Sequence, residues 1–118
     1  MKKHLFLLFI FFITINIHTQ TNELDSLWTK YSLEKNETKK IDIKLDIAFY
    51  YRKFDLEKSH LILKNILKKS KEIKYEHGIS ESLYNSAFYH YYYMEYDTAR
   101  SYINKAIKYY IKNNNKKG

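Results

Sequence analysis

Apolar positions along this chain recur at helical spacing. Leu24, Leu27, Trp28 and Tyr31 fall at relative positions 0, 3, 4 and 7, one stripe of a helix face. Thr21 or Asn22 can cap this leading helix, and Glu23 and Asp25 suit the positive end of its dipole. Lys35-Asn36-Glu37 reads as a break. A second helix is predicted from about Thr38 to Lys53, with Ile41, Leu45, Ala48 and Tyr51 (or Phe49) inward. Asp55 is the predicted N-cap of a third helix, which carries Leu56, Ser59, Leu63, Ile66, Leu67, Ser70 and then Ile73. Lys68, Lys69, Lys71 and Lys74 complement its negative end. Tyr75-Glu76-His77-Gly78 is expected to turn the chain. A fourth helix follows from about Ile79 to Met94, with Leu83, Ala87, Tyr89 and His90 inward. Glu95 or Asp97 opens a fifth, with Tyr96, Ala99, Ile103, Ala106, Ile107 and Tyr110 inward. The polar ending from Asn113 to Gly118 is expected to fray.

The pattern repeats. Ala48-Phe49-Tyr50 recurs 39 residues later as Ala87-Phe88-Tyr89, and the two glycines, Gly78 and Gly118, lie 40 apart. A period near 40 exceeds one helix and fits a helix–turn–helix pair, so the expected fold is all-α, antiparallel helix-hairpin repeats of about five helices. The division that follows is a leading helix over 21–36, a first helical repeat over 37–77 and a second over 78–118. Gly118 aligns with Gly78 at a repeat boundary, which suggests the amino-terminal portion of a longer repeat protein.

Composition narrows the class. The 118 residues contain no cysteine and no proline, which excludes disulfides, thiolate metal sites and cysteine nucleophiles and disfavours turn-rich β folds. Apolar residues make up 45%, far from a disordered composition. Net charge is +8, and Arg52 and Arg100 are the only arginines. Nucleic-acid binding would bring arginine clusters and a recognisable module, and neither is present in the sequence. Lys2 and Lys3 precede an apolar run from Leu5 to Ile17, the anatomy of a signal peptide and short of the ~20 apolar residues of a membrane span. Residues 1–20 are thus a signal peptide or, left uncleaved, a membrane anchor. The expected location is extracytoplasmic, periplasmic or secreted, with membrane contact only through that segment.

Leu83, Ala87, Tyr96, Ala99, Ile103 and Ala106 form a large–small–aromatic–small–large–small series. It resembles the signature of the tetratricopeptide repeat family, of the extracytoplasmic bacterial type. Ala48, Leu56, Ser59, Leu63 and Ile66 give a looser version one period earlier, with Lys44 where a large apolar residue is expected. The small pairs suit a close crossing of antiparallel helices. The resemblance implies a non-enzymatic module that binds protein or peptide, with a concave groove lined by Phe49, Arg52, Tyr84, Phe88, Tyr91 and Tyr92. Leu45, Asp46, Phe49, Tyr84, Asn85 and Phe88 occupy the positions where the family's carboxylate clamp would place Lys and Asn, so a preference for carboxyl-terminal peptides is not implied. Two other readings stay open. One is a sensory amino-terminal region of a longer histidine kinase or transcriptional regulator. The other is a basic helical protein that associates with membranes or nucleic acid through Lys68, Lys69, Lys71, Lys74, Lys112, Lys116 and Lys117.

No pattern for chemistry stands out. Asn36-Glu37-Thr38 fits a glycosylation sequon, a three-residue match that chance often supplies. His60, His77 and His90 make no i, i+4 metal pair, so no metal or cofactor is expected, and His90 is expected to pack half-buried with a hydrogen bond. Asp42, Asp46 and Glu81 are carboxylates of an ordinary solvated helix face. No phosphate loop or Ser/His/Asp spacing occurs, so no enzyme is expected. Tyr102, Ile103, Ile107, Tyr109, Tyr110 and Ile111 spread around the last helix, more apolar surface than one neighbour covers. Self-association through that helix is a further expectation.

Overall fold

The computed structural model describes residues 22–117, with side chains to Asn114. Residues 1–20, read above as signal peptide or anchor, lie outside the described residues, as does Gly118. Five helices follow one another: α1 (22–33), α2 (Glu37–Arg52), α3 (Leu56–Glu72), α4 (Glu76–Tyr92) and α5 (Tyr96–Lys117). No strand occurs among the described residues, and no helix there is long and apolar enough to cross a membrane. The chain is thus an all-α, helical-repeat-like protein. α2 packs on α3, α3 on α4 and α4 on α5, and α4 also touches α2.

The caps explain where the helices begin. Asn36 Oδ1 accepts from the Lys39 amide at 3.0 Å and starts α2, so the sequon asparagine spends its side chain on a cap. Asp55 accepts from the Lys58 amide and starts α3, as the sequence predicts. Two ends differ from expectation. The turn predicted over Tyr75–Gly78 lies at 73–75, and α4 already starts at Glu76. The ending expected to fray is helical through Lys117; earlier in that last stretch Lys112 Nζ holds Glu76 at 2.8 Å.

Both of the last turns are closed by a non-glycine residue in the left-handed region, Lys74 (φ 58°) and Met94 (φ 61°). In each, the next amide reaches back five residues: Tyr75 to the Ser70 carbonyl at 2.8 Å, and Glu95 to the His90 carbonyl at 2.8 Å. This double-bonded helix end is normally a glycine position, because a Cβ crowds the backbone there.

Gly78, expected in a turn, instead sits buried in the first turns of α4 with an ordinary helical φ. Its role is close approach. A Cβ there would run into Ser70 Oγ of α3 and would stand 3.0 Å from Ser70 Cβ and from Ile41 Cγ2 of α2. Within each hairpin the crossing is also lined by small residues. Ala48 and Ser59 are buried at the α2–α3 crossing, where Ser59 Oγ donates to the Ala48 carbonyl at 2.7 Å. Ala87 and Ala99 are buried between α4 and α5.

One core cluster joins Ile41, Leu45, Ala48, Leu63 and Ile66, and a second joins Ile79, Leu83 and Ala106, with Tyr102, Tyr109 and Tyr110 against it. Two expectations need correction. Ile47, left out of the predicted stripe but four residues before its member Tyr51, is fully buried and widens that face. α2 has neighbours on more than one side, since the Tyr31 ring of α1 lies under Lys40 and Lys44, so its apolar residues are not confined to one face. Lys44, the misfit of the first repeat, keeps its ammonium outside by bonding Asn65. On α5, Tyr96, Ile103 and Ile107 face outward rather than inward, because the two alanines, not the larger residues, take the crossing with α4.

Two substitutions test this packing. Gly78→Ala gains about 1 kcal/mol of helix propensity but overpacks Ser70 at a cost of about 1–3 kcal/mol. A net loss in chemical denaturation is expected, partly recovered when Ser70→Ala is added. Lys74→Gly relieves the left-handed Cβ and is expected to raise the unfolding free energy by about 0.5–1 kcal/mol. A fall in stability for Lys74→Gly would show that the turn is not strained.

Candidate functional site: an aromatic cleft at the turns

The α2–α3 and α4–α5 turns lie at the same end of the stack. Because the helices alternate in direction, residues just before and after each turn converge there. They line a cleft of about 870 Å³ built from Arg52 to Glu57 on one side and from Phe88, Tyr91 to Met94 and Tyr96 on the other. Tyr91, Tyr92 and Met94 are largely exposed in it, as is Phe54. Burying such side chains contributes about 1.5–3 kcal/mol each, so their exposure leaves a large unused free energy at one spot.

Of the six residues expected in the groove, Arg52, Phe88, Tyr91 and Tyr92 line this cleft, while Tyr84 and Phe49 lie beside it. Arg52 is the hub. Its guanidinium lies 5.0 Å from the Phe88 ring centroid and 5.6 Å from that of Phe49, and donates to Asn85 Oδ1 at 3.2 Å. Asn85 is buried and held in turn by the Glu81 carbonyl at 2.7 Å. Arg52 makes no ion pair among the described residues. Tyr84 meets Phe88 edge to face at 5.6 Å, and Tyr91 meets Tyr96 at 5.4 Å. Phe88 and Tyr91 border both this cleft and a smaller apolar one, shared with Tyr84, Ala87, Ala99 and Ile103. Phe49 lies behind Arg52 and itself borders a third cleft toward Leu27 of α1.

Several contributors were missed by the sequence reading. Glu57 is the main one. It accepts from Tyr93 at 2.6 Å and from Tyr89 at 3.0 Å. These two bonds hold its carboxyl below the usual range, and Tyr93 is pushed up to about 12 by the same bond and by partial desolvation. Phe54 and Met94 were missed as well. A signal for them existed, since they precede the equivalent cap residues Asp55 and Glu95 one period apart.

Behind the cleft lies a stack of rings. His60 is buried and lies flat on Tyr89 at 3.8 Å, meets His90 edge-on at 5.4 Å, and His90 stacks on Tyr102 at 5.0 Å. His90 is half-buried as expected, but neither ring nitrogen makes the expected hydrogen bond; Glu95 Oε1 stands 3.6 Å from Nδ1. No group of three His, Cys, Asp or Glu side chains converges among the described residues. The carboxylates Asp42 and Glu81 serve as tethers: Tyr75 donates to Asp42 and Tyr110 to Glu81, each at 2.7 Å. Asp46 has its carboxyl pushed up by partial burial and by Asp42.

The chain was compared with protein-family models, with curated proteins and with solved structures, and nothing matches in any of the three. The class that the fold defines is therefore stated from its own geometry, a short stack of antiparallel helix pairs with an aromatic cleft at one end.

The buried histidine gives a pH dependence. Burial lowers the His60 pKa, with Lys64 and His90 acting in the same direction and Glu57 and Glu95 opposing them. As pH falls, the unfolded chain, with a histidine pKa near about 6.5, takes up the proton first, so folding stability falls through and below that point. The melting temperature should drop between about pH 7.5 and about pH 5.5, and drop less in His60→Gln. An unchanged slope in His60→Gln would place the titration elsewhere.

Proposed function

We propose that this chain is a non-enzymatic binding module of the tetratricopeptide-repeat kind, working outside the cytoplasm and holding a protein or peptide in the aromatic cleft. The observation that carries the reading is the convergence in one cleft of exposed Phe88, Tyr91, Tyr92 and Tyr96 with the Arg52 guanidinium, which has no ion-pair partner among the described residues. Tyrosine offers a flat apolar body and one polar tip at low entropy cost, and arginine adds a planar fork for carboxylate or carbonyl oxygens. Such aromatic and arginine anchors carry most of the binding energy at protein interfaces. The repeat supports the reading, because stacked helix pairs act by presenting a surface. The charged and then apolar amino-terminal segment supports the location.

Peptides selected from a random library on the purified protein test this. Binders are expected at about micromolar affinity, weakened about tenfold or more by Tyr91→Ala or by Arg52→Ala. Both residues are exposed, so neither change should alter the helical circular dichroism spectrum. A selection without binders, or binders indifferent to both changes, would overturn the reading.

A further inference from the structure

We infer that the open face of α4 and α5, beside the aromatic cleft, takes an acidic amphipathic helix of a partner protein. The inference rests on the binding reading above and names the chemistry of the partner.

The protein contains its own precedent. α4 packs on both α2 and α3, with Gly78 against Ile41 and Ser70, and with Asn85 reaching Arg52. An offset of 39 residues on the first helix of each pair, and 40 on the second, carries this covered surface onto the next pair. Leu45 maps to Tyr84, Ala48 to Ala87 and Leu63 to Ile103. In the first pair these positions are closed: Leu45 is 4% exposed and Leu63 2%. In the second pair Tyr84 is 42% exposed and Ile103 37%. Between them opens an apolar cleft of about 220 Å³, floored by Ala87 and Ala99 and walled by Tyr84, Phe88, Tyr91 and Ile103. In the second pair the part of that surface mapped from Leu45, Ala48 and Leu63 is thus apolar and covered by no other helix among the described residues. The exposed stripe continues along α5 through Ile107 and Ile111, at helical spacing. A helix laid on it would present its own i, i+3, i+4, i+7 residues to the stripe.

Charge selects the sign of the partner. Arg100 stands on the same side of α5, four residues after Tyr96 and three before Ile103, and has no ion-pair partner among the described residues. α5 as a whole carries Arg100, Lys105, Lys108, Lys112, Lys116 and Lys117 against Asp97 alone. Two copies meeting along α5 would bring these cations together, which disfavours a second copy of this chain. A basic amphipathic helix also suits an anionic membrane, but here the apolar surface is a cleft between two helices, shaped for side chains rather than a flat lipid boundary.

The probe is a synthetic peptide of about 20 residues with leucine on a helical stripe and glutamate elsewhere, with a twin in which lysine replaces every glutamate. Fluorescence anisotropy with the full chain should show the glutamate peptide binding about tenfold or more tightly than the lysine twin, with affinity falling as salt rises. Ile103→Glu and Arg100→Glu should each abolish binding, while the library peptides that need Tyr91 and Arg52 still bind Arg100→Glu. Retained helical circular dichroism shows that these variants are folded. Equal affinity for the two peptides, or binding indifferent to Ile103→Glu, would overturn the inference. So would a concentration-dependent dimer that Ile107→Glu abolishes, or tighter binding to phosphatidylserine vesicles than to the glutamate peptide. If library peptides bind and the glutamate peptide does not, only this inference falls. If neither binds, the binding reading itself falls.

Discussion

The close approach of α4 to the first helix pair sets the geometry of everything else. It depends on the absence of a side chain at Gly78, where Ser70 and Ile41 leave no room for a Cβ. Ser70 and Ser82, both fully buried, are the small residues that go with it on α3 and α4. Small residues at helix crossings shorten the interaxial distance, and a short distance lets the flanking larger side chains interlock. That contact sets how closely α4 approaches the first hairpin, and Arg52–Asn85 and the Glu57 bonds to Tyr89 and Tyr93 fix the same junction at the cleft end.

Polar side chains then lock the stack at its margins. Tyr75 reaches back to Asp42, Tyr110 to Glu81, and Tyr89 and Tyr93 share Glu57, so three carboxylates, on α2, α4 and α3, are tied to four phenols from neighbouring elements. Hydrogen bonds to a charged acceptor are stronger than neutral ones, and those to Asp42 and Glu81 are partly shielded from water. Tyrosine thus has two uses in this chain. At Tyr75, Tyr89, Tyr93 and Tyr110 the hydroxyl finds a carboxylate and the side chain is a strut, while the rings of Tyr91 and Tyr92 lie on the surface. The same division separates structural from candidate binding residues within a single run of aromatics.

The turns connect packing to site. Lys74 and Met94 accept a left-handed backbone so that α3, α4 and α5 can reverse within three residues. Short reversals keep the α2–α3 and α4–α5 turns at one end of the stack and set Arg52 against Phe88. Arg52 in turn binds Asn85, a buried residue of the helix that covers its own hairpin. The cleft is therefore a property of the junction between hairpins, and neither hairpin alone has it.

How much was legible in the sequence follows from the range of each interaction. Helix number and order and the Asp55 cap could be read from spacing and repeat alone, because capping and helical periodicity are local; the groove of Phe49, Arg52, Tyr84, Phe88, Tyr91 and Tyr92 was only what the family resemblance implied. The role of Gly78 could not. Glycine in sequence signals a turn, and only the arrival of Ser70 and Ile41 from two other helices shows that its missing Cβ serves packing. Ile47 was missed because α2 is surrounded, which erases the one-sided pattern that periodicity detects. Glu57 was missed because its partners lie 32 and 36 residues away. Which side of α5 remains open was likewise decided by tertiary packing: Ala99 and Ala106 admit α4 closely, and that choice of contact face turns Ile103, Ile107 and Ile111 outward.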